Sequence, residues 1–335
     1  MKYFTKAFIF LTAVLAFFSC SGGNIGGECN RQKTEKAASL RIVNWNVQTF
    51  FDAQCDGNEY SEFIKSRRWG EEPYKERLRR LCSVIRELDA DVFVMEELES
   101  ASVMHDISNF LAGEWNVKKQ YLYGCYAKNE GSAIGCGVLS RIPLENMRVH
   151  NLDVRSESEE MPRLRPLIEV SVVCGNSDLV LLVNHWKSKS GGAEVTEKWR
   201  VREECVLAER ICALLEQDAC VLALGDFNRD ILEFEQGSAV AGVSLRTNSG
   251  RVVQIQSPWF DEDGLLLEPG SYFFRDEWSR IDNMFAAGGA RIVSFGAECS
   301  GPWCEEITFV PKKYTVWNGE GYSDHLPVSC EVEFF

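Results

Sequence analysis

Several apolar segments of this sequence border polar side chains of the types that carry out hydrolytic chemistry. The residues in question are Asn46, Glu96, Glu97, His185, Asp226, Asn228, Asp282, Asp324 and His325. Carboxylate and amide oxygens are ligands that magnesium accepts, usually with several waters retained. Two histidines could act as acid and base, and an arginine could hold a phosphate oxygen. Together these residue types indicate a metal-dependent site for a phosphate substrate.

Each of these residues also has a structural interpretation when it is taken alone. An Asn or Asp after a strand most often begins a turn, and a single His is more often a satisfied polar group than a catalyst. The pair Asp226 and Asn228 in LALGDFN is more informative, because two short polar side chains two residues apart can both reach past a strand end. The functional prediction therefore depends on the whole set.

Hydrophobic periodicity predicts the elements that must position these residues. A helix begins at Pro73, with an apolar stripe that includes Leu78 and Ile85, and a second helix covers roughly residues 193–215. Strands are predicted at residues 40–45, 91–95, 133–140, 167–174, 179–183, 220–224, 280–286, 291–295 and 326–334. Many strands and few helices favour one α/β (α+β) domain of two packed sheets with helices outside. Residues 229–251 and 296–321 are predicted to be surface loops.

The charge balance limits the classes of function. The formal net charge is −14 and the sequence pI about 4.9, which argues against a protein that grips nucleic acid along a broad basic face. A phosphate substrate would have to be bound locally, by a bound metal cation or by a few Lys and Arg side chains. The candidates close to His185 in sequence are Lys187, Lys189, Lys198, Arg200 and Arg202.

The first nineteen residues have the pattern of a secretory signal. A short basic start precedes an apolar run of residues 7–18, which is too short for a spanning helix. Ser19 then precedes Cys20, an arrangement that resembles the lipobox of bacterial lipoproteins; cleavage without lipid is the alternative. The sequence thus predicts a signal at 1–19, a lipidated Cys20 with a flexible tether to residue 39, and a domain at 40–335 in the cell envelope, outside the cytoplasm.

Thirteen cysteines in such a compartment permit disulfides. Cys299 and Cys304, five residues apart, are the first candidates for a bridge. Cys82, Cys205 and Cys212 lie on apolar helical stripes and are interpreted as packed thiols.

The order of the motifs gives a family resemblance that runs from Leu40 to Phe335. The motifs are WNVQTFFD, DADVFVMEELES, RLRPL, NHWKSKSGG, LALGDFNRD, WSRIDNMF and YSDHLPV. In this order they resemble the endonuclease/exonuclease/phosphatase superfamily, and the chain looks most like its secreted bacterial members. The resemblance implies a deoxyribonuclease I-like fold, a four-layer sandwich of two mixed sheets flanked by helices, with the site at one edge.

The resemblance also implies roles for individual residues. Glu97 matches the metal-binding Glu, while Glu96 stands where the family usually has Gln. Glu97 and Asp324 match metal-binding positions, and Asn46 matches a position that assists at the metal or the phosphate. Asn228 and Arg165 match phosphate-binding positions, with Arg163 as the alternative to Arg165. Those that match catalytic positions are His325 as the base, Asp282 as the carboxylate that orients it, His185 as a phosphate-stabilising donor or acid, and Asp226 and Asn228 as the pair that orients water.

The implied reaction is attack of activated water on a phosphorus ester, with Mg²⁺ or Mn²⁺ as cofactor. An exported nuclease acting on nucleic acid is the leading prediction. The alternatives are a sphingomyelinase-like phospholipid phosphodiesterase, a sugar or inositol phosphatase, and a surface lipoprotein that only binds a partner. The last is disfavoured because none of the expected site residues is missing. No protein partner can be inferred.

Overall fold

The computed structural model describes residues 6–11, 37–114, 116–152, 162–175, 177–237 and 242–335. Cys20 and the predicted tether as far as residue 36 lie outside these ranges. Of the helices in the described ranges, none has the length and apolar character needed to cross a membrane.

Seventeen strands and four helices make up the described part of the chain. The strands are β1 (Lys6–Leu11), β2 (Ala38–Phe50), β3 (Val92–Leu98), β4 (Tyr123–Lys128), β5 (Gly135–Ser140), β6 (Leu144–His150), β7 (Leu167–Cys174), β8 (Ser177–His185), β9 (Cys220–Asp226), β10 (Glu235–Gln236), β11 (Gly242–Arg246), β12 (Val252–Gln256), β13 (Tyr272–Phe274), β14 (Glu277–Ser279), β15 (Asp282–Ala287), β16 (Ala290–Ala297) and β17 (Val328–Phe334). The helices are α1 (Ser61–Lys65), α2 (Glu71–Leu88), α3 (Ala101–Glu114) and α4 (Ala193–Leu215).

Two mixed sheets contain all strands except the small hairpin of β13 and β14. The first sheet has the order β1-β4-β5-β3-β2-β17-β16 and the second β10-β11-β12-β15-β9-β8-β7-β6. Each sheet contains one parallel pair at its centre, β2 with β3 and β8 with β9, while the other neighbours are antiparallel. Both parallel pairs are joined by a helical crossover, as parallel strands require.

Alternation along β2 and β3 creates the layers. Ile42 and Val94 pack in the core that contains the second sheet, whereas Val43 and Phe93 pack against the apolar side chains of α2 and α3. The stripe of α4 covers the outer face of the second sheet. These four layers, helices, sheet, sheet and helix, confirm the predicted fold class.

The predicted bounds of two long elements agree closely with the structure. The helix predicted at 193–215 and the strand predicted at 167–174 have the observed bounds. The prediction of a loop over 229–251 is wrong, because β10 and β11 extend the second sheet there. In β11 only Val243 and Leu245 alternate as buried apolar residues, which is too short a pattern to recognise in sequence.

The described cysteines are all thiols. Cys304 Sγ lies 3.1 Å from the carbonyl oxygen of Cys299, so the candidate bridge is not formed in this structure. Cys82 and Cys212 are buried and Cys205 is half-buried, in keeping with their interpretation as packed thiols.

Gly225 permits the close approach of β9 to β8 beside the predicted site. Its φ is +137°, and an added Cβ would lie 1.9 Å from the carbonyl oxygen of Asn184. We expect Gly225→Ala to lower the free energy of unfolding by more than about 3 kcal/mol, because a clash with backbone adds to a strained φ. Gly250→Ala is the control, since Gly250 has φ +85° with no atom near the added Cβ. Urea unfolding of both variants checks this, and equal losses would contradict the expectation.

Candidate active site

The sheet topology brings the predicted residues to one edge of the sandwich. Near the carboxyl ends of the parallel strands β2 and β3, Asn46 lies opposite Glu96. The parallel strands β8 and β9 place His185 opposite Asp226. Strand β15 runs antiparallel to β9, so its first residue, Asp282, also lies opposite Asp226. Because β17 is antiparallel to β2, the residues just before β17 reach the same edge.

A bulge in β3 distinguishes the two adjacent glutamates. The register with β5 shifts at Glu97, whose φ is +66°; a bulge of this kind re-aims a side chain. Glu97 thereby accepts hydrogen bonds from Asn46 Nδ2 at 3.2 Å and from the amide of Thr49 at 2.6 Å. Glu96 is fully buried and its bond to Asn44 Nδ2 is 3.3 Å long. Of the two, Glu97 is therefore the carboxylate that faces the site.

Asp226 is the centre of a polar network at the end of β9. Its Oδ2 accepts hydrogen bonds from Asn46 Nδ2 at 3.0 Å and from Asn228 Nδ2 at 3.1 Å. Its Oδ1 accepts from the backbone amide of Asn228 at 2.8 Å, which is possible because Asn228 adopts a left-handed φ of +47°. Burial raises the pKa of Asp226 to about 7, although the nearby His325 opposes this effect.

His185 lies beside the two carboxylates. Its Nε2 is 3.6 Å from Asp226 Oδ2 and 3.9 Å from Glu97 Oε1. Its Nδ1 is buried and has no hydrogen-bond partner among the described residues. Burial and the positive charge of Arg165 hold the pKa of His185 well below its usual range. The imidazole is thus neutral, so it can donate a hydrogen bond to a substrate but does not supply a positive charge.

The predicted pair of His325 and Asp282 is present. His325 Nδ1 lies 2.9 Å from Asp282 Oδ2, with both residues buried. The turn before β17 is fixed by Ser323, whose hydroxyl donates to the carbonyl of Asn46 at 2.6 Å and accepts the amide of His325 at 3.1 Å. Trp45 Nε1 also donates to the carbonyl of His325 at 2.9 Å. This turn therefore ties the imidazole to β2.

The environment of His325 favours its charged form. Burial alone would lower its pKa, but the carboxylate of Asp282, followed by those of Asp226 and Asp324, raises the pKa to about 10. An imidazole must be unprotonated to act as a general base. The role of base for His325 therefore requires its pKa to fall when substrate and cation bind, and Asp226 has the pKa that is nearer to neutral pH.

Asp282→Asn is expected to lower the pKa of His325, because it removes the negative charge that contributes most to raising that pKa. A raised pKa in the folded state gives stability that is fully present below the ordinary value of 6.5 and is lost as the pH rises toward about 10. The variant should therefore lose about 1–3 kcal/mol of stability near pH 6 and much less near pH 10. Urea unfolding at both pH values measures this, with Asp263→Asn, an exposed carboxylate, as the control. Equal losses at the two pH values would contradict the pairing.

The structure separates the two candidate phosphate-binding arginines. Arg165 Nη1 donates to the carbonyl of Trp186 at 3.1 Å, the same oxygen that accepts from Asn228 Nδ2. Arg163 is exposed, and its guanidinium lies over Gly131. Arg165 is therefore the one at the site.

The basic residues that follow His185 in sequence do not form an open basic surface, because most of them are buried or engaged with other side chains. Arg200 is 1% exposed and donates to the backbone carbonyls of Lys187 and Ala193. Lys189 forms an ion pair with Glu233 at 2.7 Å. Lys198 and Arg202 lie over the ring of Trp199. Lys187 is half-buried beside the site, where burial and the charge of Arg165 lower its pKa.

The oxygen donors fit a small hard cation. The side chains of Glu97 and Asp324 are 18% and 23% exposed, so solvent and ions can reach them. Asp324 Oδ2 is paired with Lys313 Nζ at 3.2 Å. The amide oxygen of Asn46 accepts from the backbone of Gln48 at 2.9 Å, and its Nδ2 donates to the carboxylates of Glu97 and Asp226. Two carboxylates with open access suit Mg²⁺, which usually keeps several waters.

A separate acidic cluster lies outside the predicted site. Among the described residues, the carboxylate oxygens of Asp56, Glu59 and Glu99 lie within 4.8 Å of one another. Backbone amides satisfy two of them: Glu59 accepts from Asp56 at 2.6 Å, and Glu99 accepts from Asp52 at 2.5 Å. These contacts account for the cluster as loop structure.

Sequence reasoning missed an aromatic hairpin beside His325. The rings of Tyr272 and His325 are 4.7 Å apart, and Tyr272 stacks on Phe274 with an interplanar angle of 20°. Phe274 is 55% exposed. The sequence YFFRDEW shows two aromatic-rich strands around a polar turn, a signal that could have predicted the hairpin.

Comparisons with known proteins agree with the motif order. A family model described as the Endonuclease/Exonuclease/phosphatase family matches residues 41–293, more than half of the chain. The chain belongs to this family. The superfamily recognised from the motifs is thereby confirmed, whereas no curated protein matches the chain.

Several solved structures share the fold. Truncated TDP2 from Caenorhabditis elegans is similar with a TM-score of 0.56 and 13% identity, over 89% of this chain and 98% of that one. An endonuclease/exonuclease/phosphatase family protein from Bacteroides thetaiotaomicron has a TM-score of 0.54 and 15% identity, over 90% and 99%. TDP2 from D. rerio complexed with a single-strand DNA product has a TM-score of 0.53 and 17% identity, over 88% and 99%.

Proposed function

We propose that this family member is a divalent-cation-dependent phosphodiesterase whose substrate is nucleic acid. The observation that carries the proposal is the convergence of Asp226, His185 and the His325–Asp282 pair at one edge of the sandwich. The carboxylates of Glu97 and Asp324 open onto the same edge. This combination of buried acid–base groups with exposed oxygen ligands is what metal-assisted hydrolysis of a phosphoester requires.

In the proposed reaction, the site residues have different roles. Glu97 and Asp324 would hold Mg²⁺ or Mn²⁺, which neutralises charge on phosphoryl oxygens and the leaving group when bound. Asp226 and Asn228 orient the attacking water, and Asp226 or His325 accepts its proton. Neutral His185 donates a hydrogen bond to a phosphoryl oxygen, and Arg165 adds a charge-assisted one.

The hairpin of β13 and β14 supports nucleic acid among phosphoesters. The exposed ring of Phe274, stacked on Tyr272 next to His325, offers a flat aromatic surface. Bases stack on such surfaces with little dependence on sequence. TDP2 from D. rerio, whose structure is a complex with a single-strand DNA product, has a similar fold. Single-stranded nucleic acid is therefore the substrate to test first.

A phospholipid is the second candidate, favoured by one observation. Ile307, Phe309 and Trp317 are exposed by 87%, 39% and 53% on the loop that leads to Asp324. Apolar side chains on a loop near a phosphoesterase site could contact a lipid surface.

A parallel assay separates these functions. Purified protein with Mg²⁺ is incubated with single-stranded DNA, duplex DNA, RNA, sphingomyelin vesicles and a sugar phosphate. Cleavage of nucleic acid, with single strands preferred, is expected. Hydrolysis of the lipid alone, or of the sugar phosphate alone, would overturn the nuclease proposal. Binding without turnover of any substrate would favour a binding role.

The proposal includes export and anchoring through Cys20. It is supported by the basic start, apolar run and small residue before Cys20. Labelled fatty acid should be incorporated into the wild-type protein in a bacterial host, and Cys20→Ala should abolish the label. Export without any label in the wild type would indicate cleavage without lipid.

A further inference from the structure

Arg77 on α2 is a buried cation that has no acidic partner among the described residues. It is 2% exposed, and its hydrogen bonds go to three successive backbone carbonyls, those of Val47, Gln48 and Thr49. The bonds to Thr49 and Val47 are 3.0 and 3.1 Å long. Burying a charge without an ion-pair partner is costly, so its hydrogen bonds to these carbonyls are needed to offset part of that cost.

The carbonyls belong to a turn that we call the 47–49 turn, formed by Val47, Gln48 and Thr49 between the two halves of β2. Gln48 and Thr49 have left-handed φ values of +51° and +45°. With the carbonyls directed at Arg77, the amides face the site. The amide of Gln48 donates to Asn46 Oδ1 at 2.9 Å, and that of Thr49 donates to Glu97 Oε2 at 2.6 Å.

Aromatic rings fix the guanidinium in this position. Its Cζ lies 3.7 Å from the ring centroid of Tyr314 and 4.6 Å from that of Phe50. Gln48 closes the arrangement, because its side chain exchanges hydrogen bonds of 3.1 and 2.9 Å with the backbone of Tyr314. A planar fork of donors that also stacks on rings is particular to arginine, and a lysine ammonium cannot reproduce it.

We propose that Arg77 is a positioning residue for the cation site, acting through the 47–49 turn on Glu97 and Asn46. This inference rests on the proposed function, since it assigns Glu97 to the cation. Without the guanidinium, the three buried carbonyls lose a hydrogen-bond donor, and the left-handed turn loses its support, although the Thr49 carbonyl still accepts from the amide of Phe51 at 2.9 Å. The amides that orient the two site side chains would then move away.

Two substitutions test the proposal, with a control one helical turn further along. Arg77→Met removes the charge and the donors, and Arg77→Lys keeps the charge without the fork. Arg80→Met is the control, because Arg80 donates to the carbonyl of Gly319 at 2.5 Å and its Cζ lies 6.0 Å from the Tyr314 ring. The readouts are amide hydrogen exchange of the cation-free protein and the Mg²⁺ dissociation constant from calorimetry.

The expected result is local. In Arg77→Met, the amides of Gln48 and Thr49 should exchange at least about tenfold faster while those of the sheet centres are unchanged. The Mg²⁺ dissociation constant should rise by about 10–100-fold, as for residues that support a metal ligand. Arg77→Lys should fall between wild type and Arg77→Met, and Arg80→Met should match wild type in both readouts.

Other outcomes overturn the proposal. The proposal is wrong if the amides of Gln48 and Thr49 exchange at the wild-type rate in Arg77→Met. It is also wrong if exchange becomes faster evenly over both sheets and Arg77→Lys exchanges as fast as Arg77→Met. If Arg77→Met does not fold, Arg77→Lys provides the same readouts. Wild-type protein that binds no Mg²⁺ and cleaves no phosphoester would refute the proposed function, whereas exchange of the two amides would still decide whether Arg77 holds the turn.

Discussion

His325→Ala is expected to lower the turnover number for phosphodiester cleavage by about 10²–10⁴-fold, the usual contribution of one general acid or base. The imidazole is the only part of this residue that faces Asp282, while the backbone carbonyl that accepts from Trp45 Nε1 remains in the variant. The fold should therefore persist, and the loss should appear in turnover more than in substrate affinity. Steady-state kinetics on single-stranded DNA measure both quantities.

The matched control is His105→Ala, which removes an exposed histidine of α3. It should cleave at the wild-type rate. Circular dichroism and the unfolding midpoint establish that His325→Ala is folded. Wild-type turnover in a folded His325→Ala protein would remove this residue from the mechanism.

Glu97→Gln is expected to raise the Mg²⁺ concentration needed for half-maximal activity by at least about 10–100-fold. That range is typical even of residues that only support a metal ligand, and Glu97 is assigned as a ligand itself. Gln keeps one acceptor for Asn46 Nδ2 or the Thr49 amide, so the loss should reflect the missing charge more than a collapsed turn. Activity is measured across a Mg²⁺ titration.

Glu96→Gln is the matched control at the adjacent position. Burial, with the nearby charges of Asp282 and Asp226, holds the pKa of Glu96 well above its usual range, so its side chain is already neutral. An amide of the same shape should change the Mg²⁺ dependence little. If Glu96→Gln raises the Mg²⁺ concentration needed for half-maximal activity more than Glu97→Gln does, the assignment of the two glutamates is reversed.

The sequence predicts most of the central fold because its periodic segments are long. The 23-residue helix α4 carries apolar residues at helical spacing, and the eight-residue strand β7 is a mostly apolar run that is buried along its first six residues. Strands β4 and β6 are not predicted, although β5 and β7, which pair with them, are. Helix α3 was also missed, yet Val103, Ile107 and Leu111 form a helical stripe that could have predicted it. Short or mixed patterns do not distinguish a strand from a loop.

Which of the candidate residues lie together is easier to predict from the sequence than their detailed geometry. Strand-end positions place Asp226 and His185 together because parallel neighbours end at the same edge. The choice between Glu96 and Glu97 depends on a bulge that no composition rule signals. Arg77 was not recognised, because the carbonyls it holds are 28 to 30 residues away and belong to an element of another layer.

Hydrolysis of a phosphodiester by the purified wild-type protein, in Mg²⁺ and again in excess EDTA, tests the central claim most directly. The site geometry predicts cleavage of single-stranded DNA in Mg²⁺, none in EDTA, and recovery when Mg²⁺ or Mn²⁺ is restored. Cleavage at the full rate in EDTA, or no cleavage of any phosphoester with either cation, would contradict it.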